Sequence, residues 1–176
     1  RVVATSYQAV SGAGVKGIEE LRSQTQAWMR GEKIEPKYFA HQIAFNLIPH
    51  IDPFGPDGYT GEERKLINEV RKILELPNLA ISPTTVRVPV FTAHSIAINA
   101  ETELPISPDR AREVFRQFPG LQVWDTPEDN RYPMPATVEG QDGRVNATAM
   151  EAYRKGFEKP ETDFTPSIVS GGVQTK

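Results

Sequence analysis

Apolar residues recur at helical spacing in two well-marked stretches of the first half of the chain. The first runs over residues 15–29 with a polar opposite face, and Gly31 ends it. The second begins at Thr60, where Glu63 three residues later gives the spacing of a capping box, and it continues to Leu74. Both patterns predict amphipathic helices that bury one side.

A third helix is predicted further along, where Ser107 is a good N-cap residue and Pro108 suits the first turn. Its apolar positions share one side and predict a buried stripe made of Ala111, Val114, Phe115 and Phe118.

Alternating positions predict strands. One strand covers Val2 to Tyr7. The strongest alternation places valines 86, 88 and 90 on one face and Arg87 on the other, with Pro89 indicating a sheet edge. Further strands are expected over residues 94–103 and 121–124. The order of elements predicts an α+β fold, with a mixed or antiparallel sheet packed against helices.

The remaining segments are connections or weakly patterned. Residues 39–51 predict an extended stretch that packs inside, and residues 127–135 predict a turn-rich connection. Residues 1–140 are expected to form one domain, and residues 141–176 a divergent C-terminal segment. Within that segment residues 147–157 could form a helix, and an extended arm is expected from about residue 159.

Composition excludes several kinds of function. The net charge of -3 offers no basic field for nucleic acid, and no apolar run has the roughly 20 residues that a membrane span requires. The chain has no cysteine, so it has neither a disulfide nor a thiolate nucleophile. Its three histidines have no metal-ligand spacing, and no metal site is predicted. The opening Arg1 in place of Met favours a processed chain or a fragment.

Three segments in a fixed order are distinctive. The first is Ser6 to Leu21, which contains Ser11-Gly12-Ala13-Gly14; the second is Phe45 to Asp52, leading into Gly58-Tyr59-Thr60. The third contains Val86 to Val90 and Ala93-His94-Ser95, with residues 130–135 downstream. Together they resemble the aspartate-semialdehyde dehydrogenase family, which uses NADPH to reduce aspartyl phosphate to aspartate semialdehyde in amino-acid biosynthesis, including lysine biosynthesis.

The resemblance implies a catalytic and dimerisation domain like the second domain of glyceraldehyde-3-phosphate dehydrogenase. It also implies residue roles. His94 is implied as the general acid and base, and Gln8 as the residue that positions the acyl group. The implied substrate-binding residues are Arg87, Glu62 and Lys65, and the implied cofactor-facing loop contains Ser11, Gly12 and Gly14. NADP is the cofactor that the resemblance implies.

Taken without the resemblance, the same residues have plainer interpretations. Arg87 would be a surface strand residue and His94 a hydrogen-bonded structural histidine. Glu62 and Lys65 would form an ion pair on one helix face. The resemblance favours their descent from an active site.

Departures from the family leave two hypotheses. No dinucleotide-binding domain of the Rossmann type is recognised in the chain. Thr85 stands where a second conserved motif of the family usually has a cysteine. In one hypothesis the chain is part of an NADP-dependent dehydrogenase and is inactive by itself, without a nucleophile or a cofactor domain. In the other, it is an enzyme-derived structural subunit of a larger assembly that has lost catalysis.

Partners and compartment follow from the same arguments. A homodimer or a larger protein assembly is expected, since the family buries a sheet face between subunits. Neither nucleic acid nor a membrane span is expected. The cytoplasm is the default location, and a plastid is the alternative.

Overall fold

The computed structural model describes residues 1–137, and within them the chain divides into two compact units, one formed by Arg1–Glu103 and a second that begins at Leu104. The predicted helix at residues 147–157, the predicted arm from residue 159 and the domain boundary at residue 140 lie outside the described residues. In the described part of the chain, no helix combines the length and the apolar character needed to cross a membrane.

The first unit contains a three-stranded sheet in the order β2-β1-β3, with β1 at Val2–Gln8, β2 at Ile81–Arg87 and β3 at Ser95–Ala100. β1 pairs with β2 in parallel and with β3 in antiparallel. The predicted α+β fold with a mixed sheet is therefore confirmed.

Two helices lie between β1 and β2. α1 spans Gly14–Met29, and α2 spans Gly61–Ile73 with the predicted capping box at its start. α1 buries Ile18 and Leu21, which join Ile43, Ile48 and other apolar residues of the connection in one core. The predicted inward packing of residues 39–51 holds only in part: Ile43, Ala44, Ile48 and Ile51 are buried, whereas Phe45 and Leu47 are exposed, and the backbone is irregular.

The parallel register places the buried face of the sheet. Ala4 pairs with Pro83, Ser6 with Thr85 and Gln8 with Arg87, and all six are buried. Because alternate residues of a strand share a face, this is the side that packs inside. The buried face ends at Gln8 and Arg87, the last residues of their strands.

The strand predicted from the valine alternation is displaced. β2 begins earlier, at Ile81, and ends at Arg87, so Pro89 lies beyond it. After Arg87 the chain follows the turn at residues 10–13, and the N–H groups of Val10 and Ser11 donate to the carbonyls of Val90 and Phe91. Val88 is still buried and Val90 is half-buried, and the backbone of Val90 and Phe91 pairs with a turn and not with a strand.

The second unit contains α3, which spans Pro108–Gln117 and is capped by the side chain of Ser107 as predicted. The predicted buried stripe is wrong: α3 has no buried residue, and Val114, Phe115 and Phe118 are exposed. The periodicity shows that one side is apolar, but in the described residues no second layer covers it. Residues 121–124 form no strand, whereas the turn-rich connection at 127–135 is confirmed by a short 3-10 helix at Pro127–Asp129.

Candidate active site

The candidate site lies at the ends of β1 and β2, where the parallel register pairs Gln8 with Arg87. Both side chains therefore leave the same face of the sheet, and each residue is only 6% exposed. Two polar residues of this length would be costly to bury without partners. Their partners define the rest of the site.

Arg87 is fixed by the backbone on both sides. Its Nη1 donates to the carbonyl oxygen of Ala9 at 2.9 Å. Its own N–H and carbonyl form a bridge with Ile48, with N to O distances of 2.8 and 3.0 Å. Burial lowers the pKa of the guanidinium, and the charges of Glu62 and Asp52 oppose that decrease. The guanidinium is thus a buried cation whose position is fixed by backbone contacts.

Glu62 is brought to Gln8 by the start of α2. The Gln8 Nε2 donates to the Glu62 Oε1 at 3.0 Å, and Lys65 Nζ lies 3.7 Å from the other oxygen of Glu62. Lys65 is one helical turn further along and more than half exposed, so its ammonium reaches solvent. α2 starts with a capping box, in which the Thr60 hydroxyl accepts from the N–H of Glu63 and the Glu63 carboxylate accepts from the N–H of Thr60.

His94 reaches the same place from the connection between β2 and β3. A Cβ placed on Gly12 would lie 3.1 Å from His94 Nε2 and 2.8 Å from Arg87 Nη1, so the imidazole and the guanidinium meet over this glycine. Ala93, immediately before it, has φ of 65°, a left-handed conformation that costs about 1 kcal/mol in a residue with a side chain. Loss of solvent lowers the pKa of His94, and the charge of Arg87 lowers it further, while Glu62 opposes both.

Ser11, Gly12 and Gly14 belong to a 3-10 turn, Val10–Ala13, and to the first residue of α1. Gly12 is exposed above Arg87, and a Cβ at Gly14 would meet nothing within 4 Å. The space beside Gly14 is therefore open, whereas the space beside Gly12 is occupied by the Arg87 and His94 side chains.

Sequence reasoning passed over part of this loop. Gly12, Gly14 and Gly17 have the G-x-G-x-x-G spacing between a strand and a helix, so the pattern extends to Gly17. A Cβ at Gly17 would lie 2.6 Å from the carbonyl oxygen of Val10, which explains the third glycine by close packing. The pattern was visible in the sequence.

Three further participants carried no such signal. They are the carbonyl of Ala9, the carboxylate of Asp52 and the phenol of Tyr38, whose hydroxyl donates to the carbonyl oxygen of Ala13 at 3.2 Å. Their positions depend on the path of the connection across the sheet, which periodicity does not describe.

The structure thus brings Gln8, Arg87, Glu62, Lys65 and His94 together. A buried guanidinium and an exposed ammonium stand on either side of a carboxylate, beside an imidazole. This arrangement is suited to a small ligand with two anionic groups and one cationic group, next to a group that exchanges a proton near neutral pH.

The chain is similar to several known proteins. A family model described as the dimerisation domain of semialdehyde dehydrogenase matches residues 1–151. Aspartate-semialdehyde dehydrogenase of Aquifex aeolicus is 54% identical over 143 residues, which cover 81% of this chain and 42% of that protein. The same-named protein of Bacillus subtilis is 41% identical over 149 residues, covering 80% of this chain and 43% of that protein.

Solved structures give the same result. A crystal structure of aspartate semialdehyde dehydrogenase II from Vibrio cholerae, complexed with ASA, matches with a TM-score of 0.75 and 40% identity. The match covers 78% of this chain and 40% of that one. The chain therefore spans about two fifths of the length of the relatives that it matches.

Proposed function

Because the chain belongs to the aspartate-semialdehyde dehydrogenase family and matches its dimerisation domain, we propose that the site at the ends of β1 and β2 binds the aspartyl substrate of that reaction. The observation that carries the proposal is the meeting of Gln8, Glu62, Arg87 and His94, which are contributed by four different parts of the chain. Their separation in sequence makes a simple surface ion pair an insufficient account of them.

In this proposal the substrate is held by its charges. Arg87 binds the α-carboxylate, since a guanidinium offers two parallel donors to a carboxylate. Glu62 binds the amino group in place of its present donor, Gln8. Lys65, more exposed and one helical turn away, binds the phosphate group of aspartyl phosphate.

His94 and Gln8 serve the reacting end of the substrate. The pKa of His94 lies below its ordinary value, so the imidazole is largely neutral at pH 7 and its unprotonated nitrogen can accept a proton. In the opposite direction the same nitrogen returns the proton. The Gln8 amide orients the acyl group from the adjacent strand end.

NADP is the proposed cofactor, and its reduced form, NADPH, would supply the hydride when bound. The loop of Ser11, Gly12 and Gly14 fits the approach of a flat ring, because the space beside Gly14 is open. Gly12 allows the Arg87 and His94 side chains to lie close to the loop, and the backbone of Ser11 is held by Phe91.

We further propose that the chain alone does not catalyse the reaction. The family acylates a cysteine, and none of the 176 residues is a cysteine. A threonine hydroxyl such as that of Thr85 does not replace a thiolate without a strong base. The complete reaction then requires a nucleophile that this chain does not contain.

The second candidate function is that of a structural subunit derived from the enzyme. The exposed apolar side of α3 favours it, because such a surface can bind a partner. Ligand binding discriminates between the two: a domain kept only for assembly has no requirement to retain affinity for aspartate.

For assembly we propose a homodimer, as the description of the matching family model suggests. For location we propose the cytoplasm, and the bacterial relatives support this over a plastid.

Titration of the full chain with L-aspartate, followed by NMR, tests the proposal. We expect the NMR signals of the Gln8 side-chain amide and of the His94 ring to change together as L-aspartate is added and to reach saturation. Arg87→Lys should weaken the affinity by about tenfold or more, because the bidentate contact is lost. Arg22→Lys on α1 is the matched control and should leave the affinity unchanged. Shifts that do not saturate, or equal effects of the two substitutions, would contradict the proposal.

A chimera tests the reaction itself. The chain replaces the corresponding part of the Aquifex aeolicus relative, and turnover with NADP is compared with that of the chain alone. Turnover by the chimera, its loss in His94→Asn, and none by the chain alone are expected. Turnover by the chain alone would refute the requirement for an added cysteine.

A further inference from the structure

Glu63 has a contact that its role in the capping box does not require. One oxygen of its carboxylate, Oε2, accepts from the backbone N–H of Thr60 at 2.8 Å and from the Thr60 hydroxyl at 3.0 Å. This is the expected reciprocal half of the capping box. The second oxygen, Oε1, accepts from the backbone N–H of Thr85 at 3.3 Å.

Thr85 belongs to β2, which is an edge of the described sheet. The N–H groups on an unpaired edge need partners from elsewhere. The N–H of Arg87 donates to the carbonyl of Ile48, and that of Thr85 donates to Glu63. Glu63 thereby takes the place of a neighbouring strand at Thr85. Thr85 lies two residues before Arg87, on the same buried face of the sheet.

The position of this contact matters because of its neighbours. Glu62, next to Glu63 in α2, accepts from Gln8 at 3.0 Å. The start of α2 is thus attached to the sheet twice, once to β2 through Glu63 and once to β1 through Glu62. When a ligand displaces Gln8 from Glu62, the Glu63 bond to Thr85 still attaches the start of α2 to the sheet.

We propose that Glu63 is a positioning residue that, through its bond to Thr85, fixes the distance of the Glu62 carboxylate and the Lys65 ammonium from the Arg87 guanidinium. The inference rests on the proposed function, in which these three groups hold the substrate. It explains why a carboxylate occupies this position: a glutamine can also serve a capping box, but it has only one acceptor oxygen and cannot serve Thr60 and Thr85 together.

The test uses the ¹⁵N-labelled full chain without ligand. Two signals are followed by NMR: hydrogen exchange of the Thr85 amide, and the side-chain amide of Gln8, which reports its bond to Glu62. In Glu63→Ala we expect exchange at Thr85 to accelerate by about tenfold or more. The Gln8 amide should move toward the position of a free side chain.

Thr60→Ala is the matched control. It removes the cap hydroxyl and weakens α2, but it leaves both the Thr60 N–H and the Glu63 bond to Thr85 in place. The exchange rate of the Thr85 amide should then stay within about twofold of its value in the unsubstituted chain, and the Gln8 side-chain amide should keep its chemical shift. Glu63→Gln keeps one acceptor oxygen, so its two signals should lie between those of Glu63→Ala and those of the unsubstituted chain. It serves as the test of the proposal if Glu63→Ala does not fold.

Unchanged signals in the Glu63 variants, or equal changes in Thr60→Ala, would make Glu63 a helix cap and nothing more. Since no ligand is present, this outcome is separate from failure of the proposed function. That failure would be seen as an absence of aspartate binding by the unsubstituted chain.

Discussion

Gly12 carries no side chain, and the space that one would need is taken by two candidate site residues. A Cβ there would lie 2.8 Å from Arg87 Nη1, the nitrogen that donates to the Ala9 carbonyl. The φ angle of Gly12 is not in the left-handed region, so alanine causes no backbone strain. Gly12→Ala is therefore a purely steric probe of the pairing of Arg87 and His94.

We expect Gly12→Ala to displace the guanidinium and to weaken aspartate affinity by about tenfold, equivalent to about 1.4 kcal/mol. The effect should decrease strongly in an Arg87→Ala background, because the closer of the two clashes is then removed. A double-mutant cycle of affinities measures this coupling. Additive effects of the two substitutions would show that Gly12 acts independently of Arg87.

His94 makes a pH-dependent contribution to stability whose sign follows from its lowered pKa. The folded chain holds the imidazole proton less tightly than the unfolded chain, whose value is near 6.5. The unfolded state therefore takes up more protons as the pH falls. The folded chain loses stability as the pH decreases through 6.5 toward the lower folded value, and above 6.5 no loss occurs.

Urea unfolding at pH 8 and pH 5 checks this for the unsubstituted chain and for His94→Asn. Carboxylates titrate in both proteins, so the difference between the two isolates the histidine. We expect the variant to lose less stability between the two pH values. An identical loss in both proteins would mean that His94 has the same pKa folded and unfolded.

At the scale of elements, the Gln24 side chain of α1 supports the irregular connection between α1 and α2. The Gln24 Oε1 accepts from the N–H groups of Ile43 and Ala44 at 2.9 and 3.0 Å, and Gln24 Nε2 donates to Glu20 at 2.8 Å. The connection continues to Ile48, which pairs with the backbone of Arg87. One buried amide thus supports the segment that holds the site cation.

Gln24→Ala should leave two buried backbone N–H groups without a partner and cost about 2–5 kcal/mol of unfolding free energy. Gln26→Ala, on the exposed side of the same helix, should change it by less than about 0.5 kcal/mol. Chemical denaturation of both variants gives the comparison. Similar small losses would imply that water replaces Gln24 in the connection.

Two of the helices were predictable because each starts at a local signal: Thr60 with Glu63 starts α2, and Ser107 starts α3. The edge strand β2 was displaced because its buried face is formed by Pro83, Thr85 and Arg87, which no hydrophobicity pattern marks as internal. The candidate site was named through resemblance of motifs. The roles of the Ala9 carbonyl and the Thr85 N–H could not be predicted from the sequence. Nearly every residue has both backbone groups, and only the fold determines which of them lie at the site.

At the scale of the whole molecule, no residue of the three described strands on the sheet face opposite the buried one is charged. Its nine residues follow from the two registers: Val3, Thr5, Tyr7, Ser82, Thr84, Val86, Ser95, Ala97 and Asn99. Val3 and Tyr7 are 37% and 40% exposed. A sheet face that contacts only solvent usually carries charged residues, so this composition favours contact with another protein surface.

A second copy of the chain is the partner that the proposed homodimer requires, and a charge at the centre of this face should separate the two. Thr5 pairs with both Thr84 and Ala97, which places it in the middle. In a two-fold dimer, Thr5→Lys brings two buried like charges together and should raise the dimer dissociation constant by about a hundredfold or more. Gln26→Lys, on the exposed side of α1, adds the same charge elsewhere and should leave the dimer dissociation constant unchanged. Sedimentation velocity over a concentration series distinguishes the variants, and a monomeric unsubstituted chain at micromolar concentration would contradict self-association through this face.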